Sequence, residues 1–367
     1  MTLSDSFATL RPHIDEATAS SLARLLVRAG ASSRSKEFSE AVLASVRGGK
    51  RFRALMAHIG YSLGAATPLE DVSLPHLGAA LELYQASALV HDDIIDKADE
   101  RRGIPTPHRS LANHHASRSW IGSSRDFGAH AAILVGDFLF SAATAAADEQ
   151  ALRLDEERAR AFARRFADMH AEVALGQYLD IAAEQTPLDP ERSDVLNVSD
   201  ALEVALHKSA HYSVVHPAIL GAICGASTLD DGEALARSLE EILTPWGLAF
   251  QLRDDDLGVF GDPAVTGKPA GDDLREGKRT VLLALTWEAS SPAERSALTE
   301  VLGVAEASPE RLSAATRIVE ANGRAPHEAE IARLVADGHA ALEASSFDDG
   351  ARAMLRELCA ILTARRA

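Results

Sequence analysis

Cysteine is nearly absent: of 367 residues only Cys224 and Cys359 carry a thiol. Neither has a second cysteine at metal-ligand spacing, so a disulfide framework and a cysteine metal site are both excluded, and the two thiols are expected to be buried. Aromatic residues make up only 5% of the chain, and runs of strand-forming residues are scarce. Positive charge is in the minority. The 37 Lys and Arg against 54 Asp and Glu give a net charge of −17, which argues against nucleic acid or an anionic membrane as a bulk partner. A small anionic substrate remains compatible, because basic residues can cluster locally. No apolar run approaches the ~18 residues that would cross a bilayer. The first twenty residues hold no apolar stretch of signal-peptide type, so a cytoplasmic location is expected. The chain also lacks a Ser-His-Asp or Cys-His arrangement and a repeat of 20–50 residues. A nucleotide P-loop fails on spacing: Gly261 and Gly267 enclose one residue too many, and Pro269 stands where a hydroxyl is needed.

What the chain has is helix-forming material. Hydrophobic residues are 46%, dominated by Ala and Leu, enough for a substantial core. Thr67-Pro68-Leu69-Glu70 and Ser291-Pro292-Ala293-Glu294 read as helix starts, with a capping hydroxyl, an N1 proline and an N3 acid. Asp189-Pro190 and Ser308-Pro309 are shorter versions. Stretches 151–183 and 200–224 carry apolar residues three and four apart. Two segments, 101–128 and 258–278, are rich in Gly, Pro, Ser and charge and read as long functional loops. The expectation is one all-α domain over 1–367, a bundle of long helices around a central cavity, with its motifs between about 45 and 285.

Two acidic clusters carry the chemistry. In His91-Asp92-Asp93-Ile94-Ile95-Asp96, Asp92 and Asp96 lie one turn and about 40° apart on one helix face. Carboxylates so placed repel unless a cation sits between them, and oxygen-only ligands suit Mg²⁺. Gln251-Leu252-Arg253-Asp254-Asp255-Asp256 is the second cluster. The plain alternative for either is a solvated acidic helix end; two together favour a metal. Basic residues at Lys50, Arg51, Arg53, Arg101 and Arg102, with isolated Lys208, Lys268 and Lys278, suit phosphate oxygens. His114 and His115 read as loop surface.

These pieces resemble, in order and spacing, the trans-isoprenyl diphosphate synthases, with an actinobacterial geranylgeranyl diphosphate synthase flavour. The matching stretches are GGKRFR at 48–53, LVHDDIID at 89–96, RRGIPTPH at 101–108, ILVGDFLF at 133–140 and GQYLD at 176–180. KSAHYSV at 208–214, FQLRDDDLGVFGD at 250–262 and GKPAGDDLREGKRT at 267–280 complete the set. The resemblance implies condensation of isopentenyl diphosphate with an allylic diphosphate (dimethylallyl, geranyl or farnesyl) in a homodimer. It implies that Asp92, Asp96 and Asp254 hold Mg²⁺, three ions per site, with Asp93 and Asp255 in the same motifs. Arg101, Lys208 and Lys268 would assist at the allylic diphosphate. Lys50, Arg53, Arg102 and Gln85 would bind isopentenyl diphosphate, with Ser209, Gln251 and Lys278 also lining the site. A class I terpene cyclase or a silent synthase subunit fits less well, since the first needs no GGKRFR and the second tends to lose the aspartates.

Two departures stand out. Gly258 occupies the last acidic place of the second motif, and the family's Lys-Thr pair is Lys208-Ser209. Chain length is read from the row Tyr84, Ala88, Asp92, Asp96. Ser87 and Ala88 are small where short-chain members often carry a bulky aromatic. Tyr84 is the next large residue, roughly 12 Å below Asp92 at 1.5 Å per residue. That depth permits a fifteen-carbon acceptor and a twenty-carbon product, and geranylgeranyl diphosphate is expected. The alternative is a farnesyl or longer-chain synthase, with Tyr84 an ordinary core residue and the floor set by a facing helix.

Overall fold

The computed structural model describes residues 2–261, 271–304 and 306–363. Almost all of its regular structure is helical; a two-residue ribbon, β1 (Glu100–Arg101) against β2 (Ile104–Pro105), forms the one sheet among the described residues. The all-α expectation therefore holds. Contacts gather the chain into two units, Met1–Phe166 with Pro217–Leu235 and Ala167–His216 with Ala236–Ala367.

In the first unit, α1 (Leu3–Arg28) opens with a reciprocal capping box between Thr2 and Asp5. It is followed by α2 (Lys36–Ser45) and α3 (Phe52–Ala65). Next comes α4 (Pro75–Ile95), whose N1 proline is pre-set for the helix and whose C-cap is Asp96. Leu77, Leu81 and Leu83 of α4 are fully buried, each worth about 1.5–3 kcal/mol of transfer free energy. Thr67-Pro68 opens only a single 3₁₀ turn, Leu69–Asp71, with no side-chain cap. Segment 101–128 is not a loop. It holds the ribbon, α5 (Pro107–Ser117) and the start of α6 (Ser124–Ala151), because Thr106-Pro107 and Ser123 are themselves helix starts. His115 is consequently buried, its Nε2 3.1 Å from the Ile121 carbonyl, contrary to its surface reading.

By length and composition α6 could cross a membrane, a feature hidden from a search for unbroken apolar runs by His130 and Asp137. Its small residues Ala132, Gly136, Ala142 and Ala143 are buried, and it packs against α4 and α5. The Ser87 hydroxyl donates to the Gly136 carbonyl at 2.8 Å, tying α4 to α6. Ile133, Leu134 and Phe140 of the same helix remain exposed.

α7 (Glu156–Gln185) and α10 (Leu229–Phe260) contribute residues to both units, while α8 (Val198–Val204) belongs to the second. After α8, residues Ala205–Val215 wind as a π-helix that runs into α9 (His216–Gly225). The second unit continues with α11 (Asp272–Glu276), α12 (Val281–Ala289), α13 (Pro292–Thr299), α14 (Pro309–Ile318), α15 (Arg324–Ala344) and α16 (Asp349–Thr363). Ser291 and Glu294 form the capping box expected of their spacing, and Ser308 caps α14. Asp189-Pro190, by contrast, makes only a turn. Fully buried Trp287 anchors the core of this unit and donates its indole N–H to the Arg192 carbonyl at 2.9 Å.

His327 in α15 is 0% exposed, and neither ring nitrogen has a hydrogen-bond partner among the described residues. Burial pushes its pKa down to about 4. Because the folded value lies below the unfolded one, stability is complete above pH ~6.5 and falls as acid protonates the unfolded chain first. We expect a loss of about 2 kcal/mol from this group between pH 7 and pH 5. Urea titrations at the two pH values should show that part of the loss vanishing in His327→Phe; an unchanged pH dependence would refute it.

Candidate active site

One aspartate motif lies in each unit. In the first, α4 delivers Asp92 and Asp96 at its C-terminal end. The Asp96 amide closes the last turn on the Asp92 carbonyl at 2.8 Å, and both side chains are half-buried. The intervening Asp93 is 2% exposed and points away from solvent. Arg101 holds the motif from the ribbon: Nε donates to Asp93 Oδ1 at 2.7 Å, and Nη2 lies 3.4 Å from Asp92 Oδ2. Asp93 therefore positions Arg101, while Asp92 and Asp96 remain half-buried at the helix end. That all-oxygen pair fits a hard divalent cation.

The basic stretch divides its labour. Arg51 is buried and structural, bonded to Asp15, to Glu82 Oε2 at 3.3 Å and to the Val46 carbonyl at 2.7 Å. Its neighbours differ: Lys50 is exposed and Arg53 half-buried. Arg102 reaches back across Gly49 and donates to the Arg47 carbonyl at 3.1 Å. Burial, with Arg101 and Arg51 close by, lowers the pKa of its guanidinium, the electrostatic strain that a bound phosphate would relieve. Arg101, Arg102, Asp93, Leu89 and Ala86 share the wall of a cavity of about 450 Å³.

On the row beneath Asp92, Ala88 is half-buried and Tyr84 is 6% exposed, its ring edge-on to Phe140 at 5.8 Å between centroids, while Gln85 beside Tyr84 is half-buried. Burial, partly offset by Arg53, raises the Tyr84 pKa to about 12, so the phenol stays neutral. Ser87 is buried against α6 through its bond to Gly136.

In the second unit, Asp254 is exposed on α10 while Asp255 is 6% exposed and accepts from Gln251 Nε2 at 2.8 Å. Burial and then the nearby Asp273 carboxylate push the Asp255 pKa well above the usual range, against the bond from Gln251. Asp256 is buried beside Arg253 and Arg324, at 3.7 and 3.9 Å, so it belongs to a different face. A Cβ placed on Gly258 would lie 1.9 Å from Asp273 Oδ2. The carboxylate of Asp273 thus fills the space that the missing acid would need. Sequence reading gave Asp273 no role, although it lies in the stretch GKPAGDDLREGKRT, where it is one of the Asp pair opening α11. Lys278 pairs with Glu276 at 2.6 Å and approaches Asp273 at 3.9 Å.

Lys208 sits in the π-helix, its ammonium bonded to the buried Asp180 of the GQYLD stretch. Gly176 of that stretch is obligatory, since a Cβ there would lie 2.4 Å from the Lys208 amide nitrogen. Ser209 is half-buried next to it. Lys268 lies outside the described residues.

Comparison with known proteins now decides the family. The polyprenyl synthetase family model matches residues 35–319, most of the chain. The chain belongs to the polyprenyl synthetase family. It is a prenyltransferase, all-α as its relatives are. It is 31% identical over 288 residues to a geranylfarnesyl diphosphate synthase of Aeropyrum pernix, covering 78% of this chain and 80% of that one. A geranylgeranyl diphosphate synthase of Mycobacterium tuberculosis is 33% identical over 259 residues, covering 68% and 62%. Among solved structures, geranylgeranyl pyrophosphate synthase of Corynebacterium glutamicum, complexed with isoprenyl diphosphate and magnesium, superposes with a TM-score of 0.83. It is 35% identical, with 96% and 99% of the two chains covered.

Proposed function

We propose that this prenyltransferase makes geranylgeranyl diphosphate from isopentenyl diphosphate and an allylic diphosphate, with Mg²⁺. The carrying observation is the Asp92–Asp96 carboxylate pair, one turn apart and half-buried, with Arg101 fixed beside it. Asp92, Asp96 and Asp254 would hold the ions, three per site. When bound, Mg²⁺ supplies Lewis-acid stabilisation of the departing diphosphate. Arg101, Lys208 and Lys268 meet the same leaving group as hydrogen-bond donors, and Asp180 keeps the Lys208 ammonium in position. Lys50, Arg53, Arg102 and Gln85 bind isopentenyl diphosphate, with Lys278 contributing charge. The allylic C–O bond breaks, the alkene of isopentenyl diphosphate attacks the cation, and the released diphosphate takes the proton. The carbonyls near Lys208-Ser209 and the side chain of Gln251 steady the cation by their dipoles.

The proposal includes one catalytic domain over the whole chain, a cytoplasmic location and a homodimer. The exposed Ile133, Leu134 and Phe140 of α6 favour dimerisation. Light scattering should return the mass of two chains, and Leu134→Asp the mass of one. Incubation of purified protein with labelled isopentenyl diphosphate, farnesyl diphosphate and Mg²⁺ tests the reaction. A twenty-carbon alcohol after dephosphorylation supports it; a cyclic hydrocarbon or no turnover sinks it.

Product length has its own test. The row geometry makes Ala88, half-buried one turn below Asp92, a sharper probe than Ser87, whose hydroxyl is engaged with Gly136. Ala88→Phe should stop elongation at fifteen carbons, and Tyr84→Ala should lengthen the product by at least one unit. Chromatography decides: an unchanged product in both variants means that this row does not touch the tail.

A further inference from the structure

In the second unit, three imidazoles gather around one carboxylate. Glu172 Oε1 lies 2.6 Å from His207 Nδ1 and 2.6 Å from His211 Nδ1, and its Oε2 lies 2.5 Å from His216 Nε2. The ligand atoms of Glu172, His211 and His216 are all within 4.8 Å of one another. The imidazoles stand edge to face, with centroids 6.2 Å apart for His207 and His211 and 5.7 Å for His211 and His216.

The backbone explains the convergence. Residues five apart on an α-helix are turned about 140° from each other, so His211 and His216 would face different neighbours. Here the His216 amide bonds to the His211 carbonyl, the i→i+5 closure of a π-turn. That wider turn brings residues five apart onto one side. Pro217 accounts for it locally, because it has no amide for the carbonyl four residues back and its ring crowds that carbonyl in an α-helix. π-Turns of this kind are frequent at functional sites. The Glu172 carboxylate is pushed up by burial, yet its three imidazole hydrogen bonds outweigh this and hold it well below the ordinary range. It is an anion in the middle of three nitrogen donors.

We propose that Glu172, His211 and His216 form a binding site for one divalent transition-metal ion of the zinc class, with His207 hydrogen-bonded to the carboxylate beside it. Two imidazoles with one carboxylate, and a water to complete the shell, suit Zn²⁺ or Co²⁺, whereas Mg²⁺ prefers an oxygen-only set such as Asp92 with Asp96. Binding would pin the π-segment, and with it Lys208, which lies between His207 and His211. The site stands independently of the prenyl-transfer assignment.

The test uses the full untagged chain, stripped with chelator and returned to excess Mg²⁺ so that oxygen-only sites are filled. Co²⁺ is titrated while visible absorption is followed. One equivalent should give the intense bands of a four-coordinate ion, and one equivalent of Zn²⁺ should abolish them. Loss of a group that merely supports a metal ligand costs 10–100-fold in affinity, so His211→Gln and His216→Ala should each weaken binding at least about 100-fold. Helicity and melting are measured on the same samples, and His211→Gln, at a half-buried position, guards against a variant that does not fold. Asp92→Ala should bind Co²⁺ as the parent does. Absence of cobalt bands at millimolar Co²⁺ in the parent, or unchanged affinity in both histidine variants, would overturn the proposal; the cluster would then be a hydrogen-bonded carboxylate alone.

Discussion

Asp92→Ala and Asp96→Ala should each lower turnover by at least about 10²-fold at any practical Mg²⁺ concentration, because a group that stabilises charge developing in the transition state typically carries that much. Neither change should unfold the chain. Both side chains are half-buried at a helix end, and Arg101 keeps its 2.7 Å bond to Asp93 when Asp92 is removed. The expected stability change is within about 1 kcal/mol, typical of sites outside the core. The two effects separate the metal assignment from the alternative of a solvated acidic end, which expects normal kinetics. The decisive measurement is kcat and kcat/KM against Mg²⁺ concentration, alongside thermal melting. Asp93→Asn forms the contrast. It should disturb Arg101 and so lose both rate and stability, because a buried guanidinium partner is removed. Normal kinetics in Asp92→Ala or Asp96→Ala would refute the assignment.

The parts of the site that sequence reading reached are those fixed within a turn or two of helix. Asp92 and Asp96 share a face because the helical period puts them there, and α4 forms because its composition and its N1 proline agree. Contacts made by the fold were out of reach. Nothing in the order of residues says that Asp180 meets Lys208, that Glu82 and Asp15 bury Arg51, or that Asp273 lies against Gly258. Segment 101–128 was misjudged for a local reason: its Gly, Pro and Ser are helix starts and a tight ribbon, read as loop composition. The histidine cluster was hidden more deeply, since a period of 3.6 residues assigns His216 to the wrong side of its helix. Only the π-turn corrects that.

The second motif yields the other large effect. Asp254→Ala should cost at least about 10²-fold in turnover, since Asp254 is the exposed carboxylate of this cluster while Asp255 is buried against Gln251. Gly258 is where the structure changes the expectation. From sequence, restoring an acid at 258 is expected to change the rate modestly. The Asp273 carboxylate already occupies that space, 1.9 Å from where a Cβ would stand. Gly258→Asp must therefore displace Asp273 and place a further negative charge beside Asp255, whose ionisation burial and Asp273 already oppose. A displacement near 1 Å in such a site can cost as much as 10²-fold, so the single variant should lose on the order of 10–10²-fold. Gly258→Ala should share the steric part of that loss, which removes charge as the sole explanation. The combination of Gly258→Asp with Asp273→Gly moves the acid from one position to the other without crowding and should recover most of the rate. Steady-state kinetics of the four variants at several Mg²⁺ concentrations read this directly. If Gly258→Asp is fully active, Asp273 does not hold the place of the missing acid, and the second motif works through Asp254 alone.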